Sequence, residues 1–149
     1  MKTIDEPIII EETFNFSIEA VWKSLTDIEL MRQWYFDNIP AFKPEVGFET
    51  QFNIKSEQRN FLHKWKVLEV EPLKKIKYSW EFEEYRGKST TNFELTQDNN
   101  LTKLTLSVEV QEDFPESIPE FKRESCIGGW NYFINNRLKE YLKNNWSNK

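Results

Sequence analysis

The sequence predicts an α+β fold: a curved antiparallel sheet of about six strands, two short helices after the first strand, and a long C-terminal helix packed across the sheet. Three observations predict it. From Gly47 to Val110 apolar residues recur with a period of two, in runs divided by polar or Pro-containing turns. From Phe121 to Leu142 they recur at i+3 and i+4 spacing. Between an N-terminal alternating run and the meander lie two short segments opened by helix-capping residues.

Ile8, Ile10, Phe14 and Phe16 share one parity, opposite Glu11, Thr13 and Asn15, and read as a strand whose apolar face Glu12 interrupts. Ser17 is placed to cap a helix carrying Ile18, Val21, Trp22 and Leu25, with Glu19 in its first turn. Thr26-Asp-Ile-Glu29 has capping-box spacing and opens a second short helix with Leu30, Met31 and Trp34. Asn38 to Pro44, with two prolines, reads as a loop.

Phe48, Thr50, Phe52 and Ile54 then alternate with Glu49, Gln51 and Asn53. In Leu62–Val70 the parity slips between Val67 and Leu68, which predicts a bulge. After a turn at Pro72–Lys75, Ile76, Tyr78, Trp80 and Phe82 form an apolar face; after Tyr85–Lys88, so do Ser89, Thr91, Phe93 and Leu95. A polar turn at Gln97–Asn100 leads to Leu104, Leu106, Val108 and Val110. A capping box at Ser117-Ile-Pro-Glu120 predicts a helix running to about Lys143, with Phe121, Ile127, Trp130, Phe133, Ile134, Leu138, Tyr141 and Leu142 in its stripe. A sheet with one apolar face must be covered, and only this helix is long enough to cover it.

The 149 residues suit a single domain spanning 1–149. A net charge of -5 argues against a nucleic-acid backbone as partner. The lysines are interleaved with acids, which argues against an anionic membrane surface. The charged start Met1–Pro7 is not followed by a long apolar run, so neither a signal peptide nor a membrane span is expected. A lone cysteine allows no intrachain disulfide, and a cytoplasmic location is the expectation. Six Trp, twelve Phe and five Tyr sit in a chain of mean hydropathy -0.72, so the apolar side chains are few and large. Such rings either fill a core or leave a lined cavity.

Chemistry-bearing residues are sparse. His63, the only histidine, shares parity with Trp65. It reads either as a base or hydrogen-bonding group in a cavity, or as a partly exposed strand residue; with no partner motif the second is expected. One His and one Cys leave only carboxylates for a metal, and no acidic spacing fits a calcium loop, so no metal and no cofactor are expected. Gly47 and Gly87 stand alone, so no phosphate loop is formed. Cys126 reads as a small buried hydrophobe. Glu12 is either a buried carboxylate serving a ligand or the end of a splayed strand, with the splayed end expected. Gly128-Gly129, inside the predicted helix, should cost it roughly 1 kcal/mol each relative to alanine. The pair lets the helix approach the rings more closely, opens a mouth beside Trp130, or kinks the helix.

"SIEAVWKSLTDIELMRQWY", "WKVLEVEPLKKIKYSWEF", "TTNFELTQDNNLTKLTLSVE" and "GGWNYFINNRLKEYL", in this order, resemble the activator of heat-shock-protein ATPase homologue (AHSA) family. That family belongs to the START-like, helix-grip superfamily, and the resemblance runs over nearly the whole chain. Where the family often has Gly-Gly entering the second strand, this chain has Val46-Gly47. The eukaryotic activators stimulate their chaperone through an additional domain, for which this sequence has no room. The resemblance implies a helix-grip fold and a small hydrophobic or aromatic ligand held between the sheet and the last helix, without catalysis. The expected ligand-binding residues are Trp34, Thr50, Phe52, Trp65, Tyr78, Trp80, Thr91, Phe93, Gly129, Trp130 and Phe133, with Glu12 and His63 as further polar contacts. Two rivals stand beside this. One is a cyclase- or hydrolase-like enzyme using His63 or a buried carboxylate as base. The other is a protein-interaction module, such as a chaperone partner, with an apolar patch around Tyr141 and Trp146. A homodimer is compatible with the sequence, which does not specify one.

Overall fold

The computed structural model describes residues 1–146. Strand β1 (Ile8–Phe14) leads to helices α1 (Ile18–Thr26) and α2 (Ile28–Trp34). Strands β2 (Glu49–Ser56), β3 (Arg59–Glu71), β4 (Lys75–Phe82), β5 (Lys88–Asp98) and β6 (Leu101–Glu112) follow as a meander. A 3-10 turn at Pro119–Phe121 precedes the C-terminal helix, which runs from Arg123 to Asn145. All pairings are antiparallel, in the order β1-β6-β5-β4-β3-β2. This is the helix grip that the periodicities predict.

Register sorts the inward residues into rows that cross the sheet. Phe52, His63 and Phe82 form one row. Thr50, Trp65, Trp80 and Ser89 form the next. Val67, Tyr78, Thr91, Val108 and Ile8 form a third, and Ile76, Phe93, Leu106 and Ile10 a fourth. The predicted bulge is present: the β3–β4 register shifts between Val67 and Glu69. It keeps Val67 buried while Leu68 turns outward.

Two apolar clusters result. The larger includes Trp34, Tyr35, Trp65, Tyr78, Phe93 and Trp130. The smaller is built on Phe61, Phe114 and Phe121, with Phe82 and Tyr85 against it. Gly87, in the β4–β5 turn, has φ +116, a conformation closed to most residues, and an added Cβ there would overlap the Phe114 ring. Glycine is what allows Phe114 to seat.

Helix ends differ from the sequence reading in two places. Ser17 caps α1 as predicted, accepting from Ala20 N–H. Asp27, not Thr26, caps α2, accepting from Glu29 N–H; Thr26 ends α1 and donates its hydroxyl to the Trp22 carbonyl. The Ser117–Glu120 capping box does not form. Glu120 instead accepts from Ser56 Oγ at 2.7 Å and from Arg59 Nε at 2.9 Å, and the helix starts at Arg123. The charged and hydroxyl donors of the β2–β3 hairpin offer the carboxylate stronger bonds than one amide N–H does.

The C-terminal helix is not uniform. It is α-helical at Arg123–Trp130 (α3), π-helical at Asn131–Leu138 and α-helical again at Lys139–Asn145 (α4). Its buried residues Trp130, Ile134, Leu138 and Leu142 recur every fourth position. In a pure α-helix each such step overshoots a full turn by about 40°. The wider π turns turn back against that drift and keep the row facing the sheet.

Candidate functional site

A cavity of about 320 Å³ lies between the inner face of the sheet and α3, along the seam between the two apolar clusters. Its floor is Phe61 and His63 from β3, Trp80 and Phe82 from β4, and Ser89 and Thr91 from β5. Its roof is Cys126, Gly129, Trp130 and Phe133. These four follow i, i+3, i+4, i+7 spacing and so share one helix face. Phe36, from the segment after α2, closes one end; Phe114 and Phe121 close the other. Half of the lining residues carry aromatic rings.

Gly129 is both solvent-exposed and part of this roof, and an added Cβ there meets nothing within 4 Å. The helix therefore does not use the glycine to approach the rings more closely. The missing side chain is open space at the rim of the cavity. Gly128, also exposed, has open space around it but lies outside the cavity lining.

His63 is buried at 7% relative exposure, correcting the expectation of a partly exposed strand residue. The row register explains its position: Phe52 stacks on it at 5.1 Å and Phe82 meets it edge-on at 4.8 Å, while Phe36 and Trp80 rings lie at 5.2 and 5.4 Å. Loss of water around the ring pushes its pKa down to about 4, against a small opposing effect of the Phe61 carbonyl and of Glu84. The neutral ring donates Nδ1–H to that carbonyl at 2.9 Å, because a carbonyl can only accept. Nε2 is left as an acceptor, with no partner among the described residues.

The other predicted residues divide by row. Trp80, Thr91, Gly129, Trp130 and Phe133 line the cavity with His63. Trp34, Trp65, Tyr78 and Phe93 are buried in the larger cluster, away from the lining. Trp34 donates its indole N–H to the Ser24 carbonyl, joining α2 to α1. Tyr78 spends its hydroxyl on Tyr35 at 2.8 Å, and burial raises the pKa of both phenols. Trp65 lies under Tyr35 and Phe42, and its indole N–H has no partner among the described residues. Phe52 backs His63 without lining the cavity, and Thr50 stays half-buried on the edge strand β2.

Glu12 corrects both of its readings. It lies within β1, where Asn135 Nδ2 donates to it at 3.2 Å and Lys139 Nζ stands 3.5 Å away. It ties the sheet to the helix and is neither a cavity group nor a splayed end. Cys126 is partly buried in the roof, and burial pushes its thiol up to about 11, leaving it a weak nucleophile. Tyr141 and Trp146 pack against the larger cluster, so they do not form the expected exposed patch.

Sequence reasoning missed Phe36, Phe61, Phe82, Phe114 and Phe121 as lining residues. Phe61 and Phe82 carried a signal, since both share inward parity with residues already chosen. Phe36 and Phe114 lie outside the periodic runs and offer no such signal; Phe121 heads the predicted helical stripe but sits in the 3-10 turn ahead of the helix. Among the described residues no helix is long and apolar enough to cross a membrane, and no group of three or more His, Cys, Asp or Glu is placed to hold a metal ion.

A family model described as Activator of Hsp90 ATPase homolog 1-like protein matches residues 15–143. No curated protein matches the sequence. Among solved structures, DynU16, a protein of the dynemicin biosynthetic locus, superposes with a TM-score of 0.77 at 21% identity over 97% of this chain and 50% of its own. This chain therefore spans half the length of that protein. A Chromobacterium violaceum protein gives 0.76 at 18% identity, covering 92% of this chain and 96% of its own. A Mesorhizobium loti protein gives 0.71 at 25% identity, covering 94% and 98%.

Proposed function

From a chain that belongs to the Activator of Hsp90 ATPase homolog 1-like family, we propose a binding protein that holds a small hydrophobic or aromatic molecule between its sheet and its C-terminal helix. One observation carries the proposal: a cavity of about 320 Å³, half of whose lining residues carry aromatic rings, lies in the seam between the two clusters. Ligand sites begin near roughly 300 Å³ and pair apolar walls with a few polar groups. His63, Ser89 and Thr91 supply such groups here.

The enzyme alternative uses the same cavity with His63 as base. A group with a pKa of about 4 has lost most of its basicity near neutral pH, which weighs against it. The chaperone-partner alternative needs an apolar docking surface. The exposed large apolar residues Ile4, Ile9, Val46, Leu68, Leu101 and Tyr132 are placed on separate elements and give it no support.

Tryptophan fluorescence and thermal shift across hydrophobic aromatics test the reading. Trp80 and Trp130 line the cavity, so saturable quenching should accompany a raised melting temperature. Gly129→Leu should fold, because its Cβ has open space, and should lose both signals. Quenching that survives this substitution undiminished, or a panel that moves neither signal, would count against the cavity.

A further inference from the structure

The ligand's chemistry can be narrowed by asking what each polar group of the cavity can and cannot accept. Ser89 and Thr91 present hydroxyls, which donate or accept and so discriminate little. Glu120 is also at the wall, but its carboxylate is engaged by Arg59 Nε, Arg59 Nη2 at 3.2 Å and Ser56 Oγ. The Arg59 guanidinium is in turn committed to Glu120, so it is not free to receive an anion. His63 differs from all of these. More than nine-tenths of it is buried, its ring is fixed by the Phe61 carbonyl and the stacked Phe52, and Nε2 is left without a protein partner among the described residues. Unlike the Trp65 indole nitrogen, Nε2 is not sealed off, and the residue forms part of the cavity floor. In this tautomer it can accept a hydrogen bond but not give one.

We propose that the cavity selects an uncharged aromatic molecule of about two rings whose hydroxyl donates a hydrogen bond to His63 Nε2. This rests on the binding reading above. The size follows from volume: a dry apolar cavity of about 150 Å³ holds one benzene, and this one is about twice that. The absence of charge follows from the walls. A carboxylate would lose its hydration against aromatic faces, a histidine lone pair and the Glu120 carboxylate, and the one cation among the lining residues, the Met1 ammonium, already donates to the Phe121 carbonyl at 2.8 Å. The donor requirement follows because a ligand without one leaves a buried acceptor unpaired, a penalty that separates ligands more sharply than apolar fit does.

Isothermal titration with 2-naphthol, 2-methoxynaphthalene and 2-naphthoate at neutral pH tests this. The ether keeps the rings and the oxygen but lacks the donor. The wild type should bind the naphthol at least about tenfold more tightly than the ether, on the scale of one buried hydrogen bond, and the naphthoate most weakly. His63→Phe should bring naphthol and ether within about twofold while the ether still binds; His63→Gln, which keeps an acceptor oxygen, should retain part of the preference. In the unmodified protein, naphthol but not the ether should shift the His63 Nε2 nitrogen resonance. Equal binding of naphthol and ether by the wild type, a preference that persists in His63→Phe, or tightest binding of the naphthoate would overturn the assignment while leaving a binding cavity in place. Failure of all three compounds to bind would overturn the binding reading with it.

Discussion

His63 shows how much one residue's chemistry depends on its neighbours. Four aromatic rings remove its water, and a single backbone carbonyl fixes its tautomer. An unfolded histidine takes up a proton near pH 6.5, whereas this one stays neutral in the folded protein until about pH 4. Between those values the unfolded state binds the extra proton. Stability is therefore fully present above pH 6.5 and is lost as the pH falls toward 4. Urea denaturation at pH 7 and pH 4.5 should show the wild type losing about 2.5 kcal/mol more than His63→Phe, whose carboxylates titrate as before. A parallel loss in both proteins would contradict the buried neutral ring. Because there is one histidine, proton NMR of its ring reports the same pKa without assignment.

The sequence placed His63 on the inward parity but could not weigh its burial. Parity comes from the chain alone, while desolvation comes from Phe36 on a loop and Phe52 and Phe82 on flanking strands. The same limit explains Tyr78 and Trp65. Both were legible as inward-facing, but the stacked Tyr35 that covers them comes from the residue just past α2.

At the scale of elements, Gly128 and Gly87 make opposite predictions. Gly128→Ala adds a methyl group in open space on an exposed helix and should raise stability by up to about 1 kcal/mol, with binding unchanged. Gly87→Ala should cost about 2 kcal/mol or more, because positive φ and collision with Phe114 act together. Chemical denaturation of the two variants checks both, and a neutral Gly87→Ala would show that Phe114 seats differently. Gly129→Leu belongs to the binding test and not to this pair. Strand existence, the bulge and the first helix cap were legible, because each is set by neighbours within a few residues. The start of the C-terminal helix was not. Glu120 was spent on Arg59 and Ser56, about 60 residues away in sequence, and no local capping rule registers such a competitor. The π segment was not legible either: the predicted stripe mixes three- and four-residue steps, and only burial singles out Trp130, Ile134, Leu138 and Leu142 as a four-residue row, longer than an α-helical repeat.

Across the whole molecule, the seam that holds the cavity also divides the interior. The smaller cluster of Phe61, Phe114 and Phe121 meets the larger one through the sheet and across an unfilled space. Glu120, Arg59 and Ser56 bridge the β2–β3 hairpin to the 3-10 turn beside it. Such an arrangement predicts two cooperative units of unequal strength, the weaker opening without global unfolding. Native-state hydrogen exchange of the ligand-free protein should therefore find the amides of Phe61, Phe114 and Phe121 opening at lower free energy than those of Phe93 and Leu106. Arg59→Leu should widen that gap. A bound aromatic would act as mortar between the two units. It would raise protection at the far cluster as well as at the residues it touches, so that occupancy is reported through cooperativity of unfolding rather than through a change of shape.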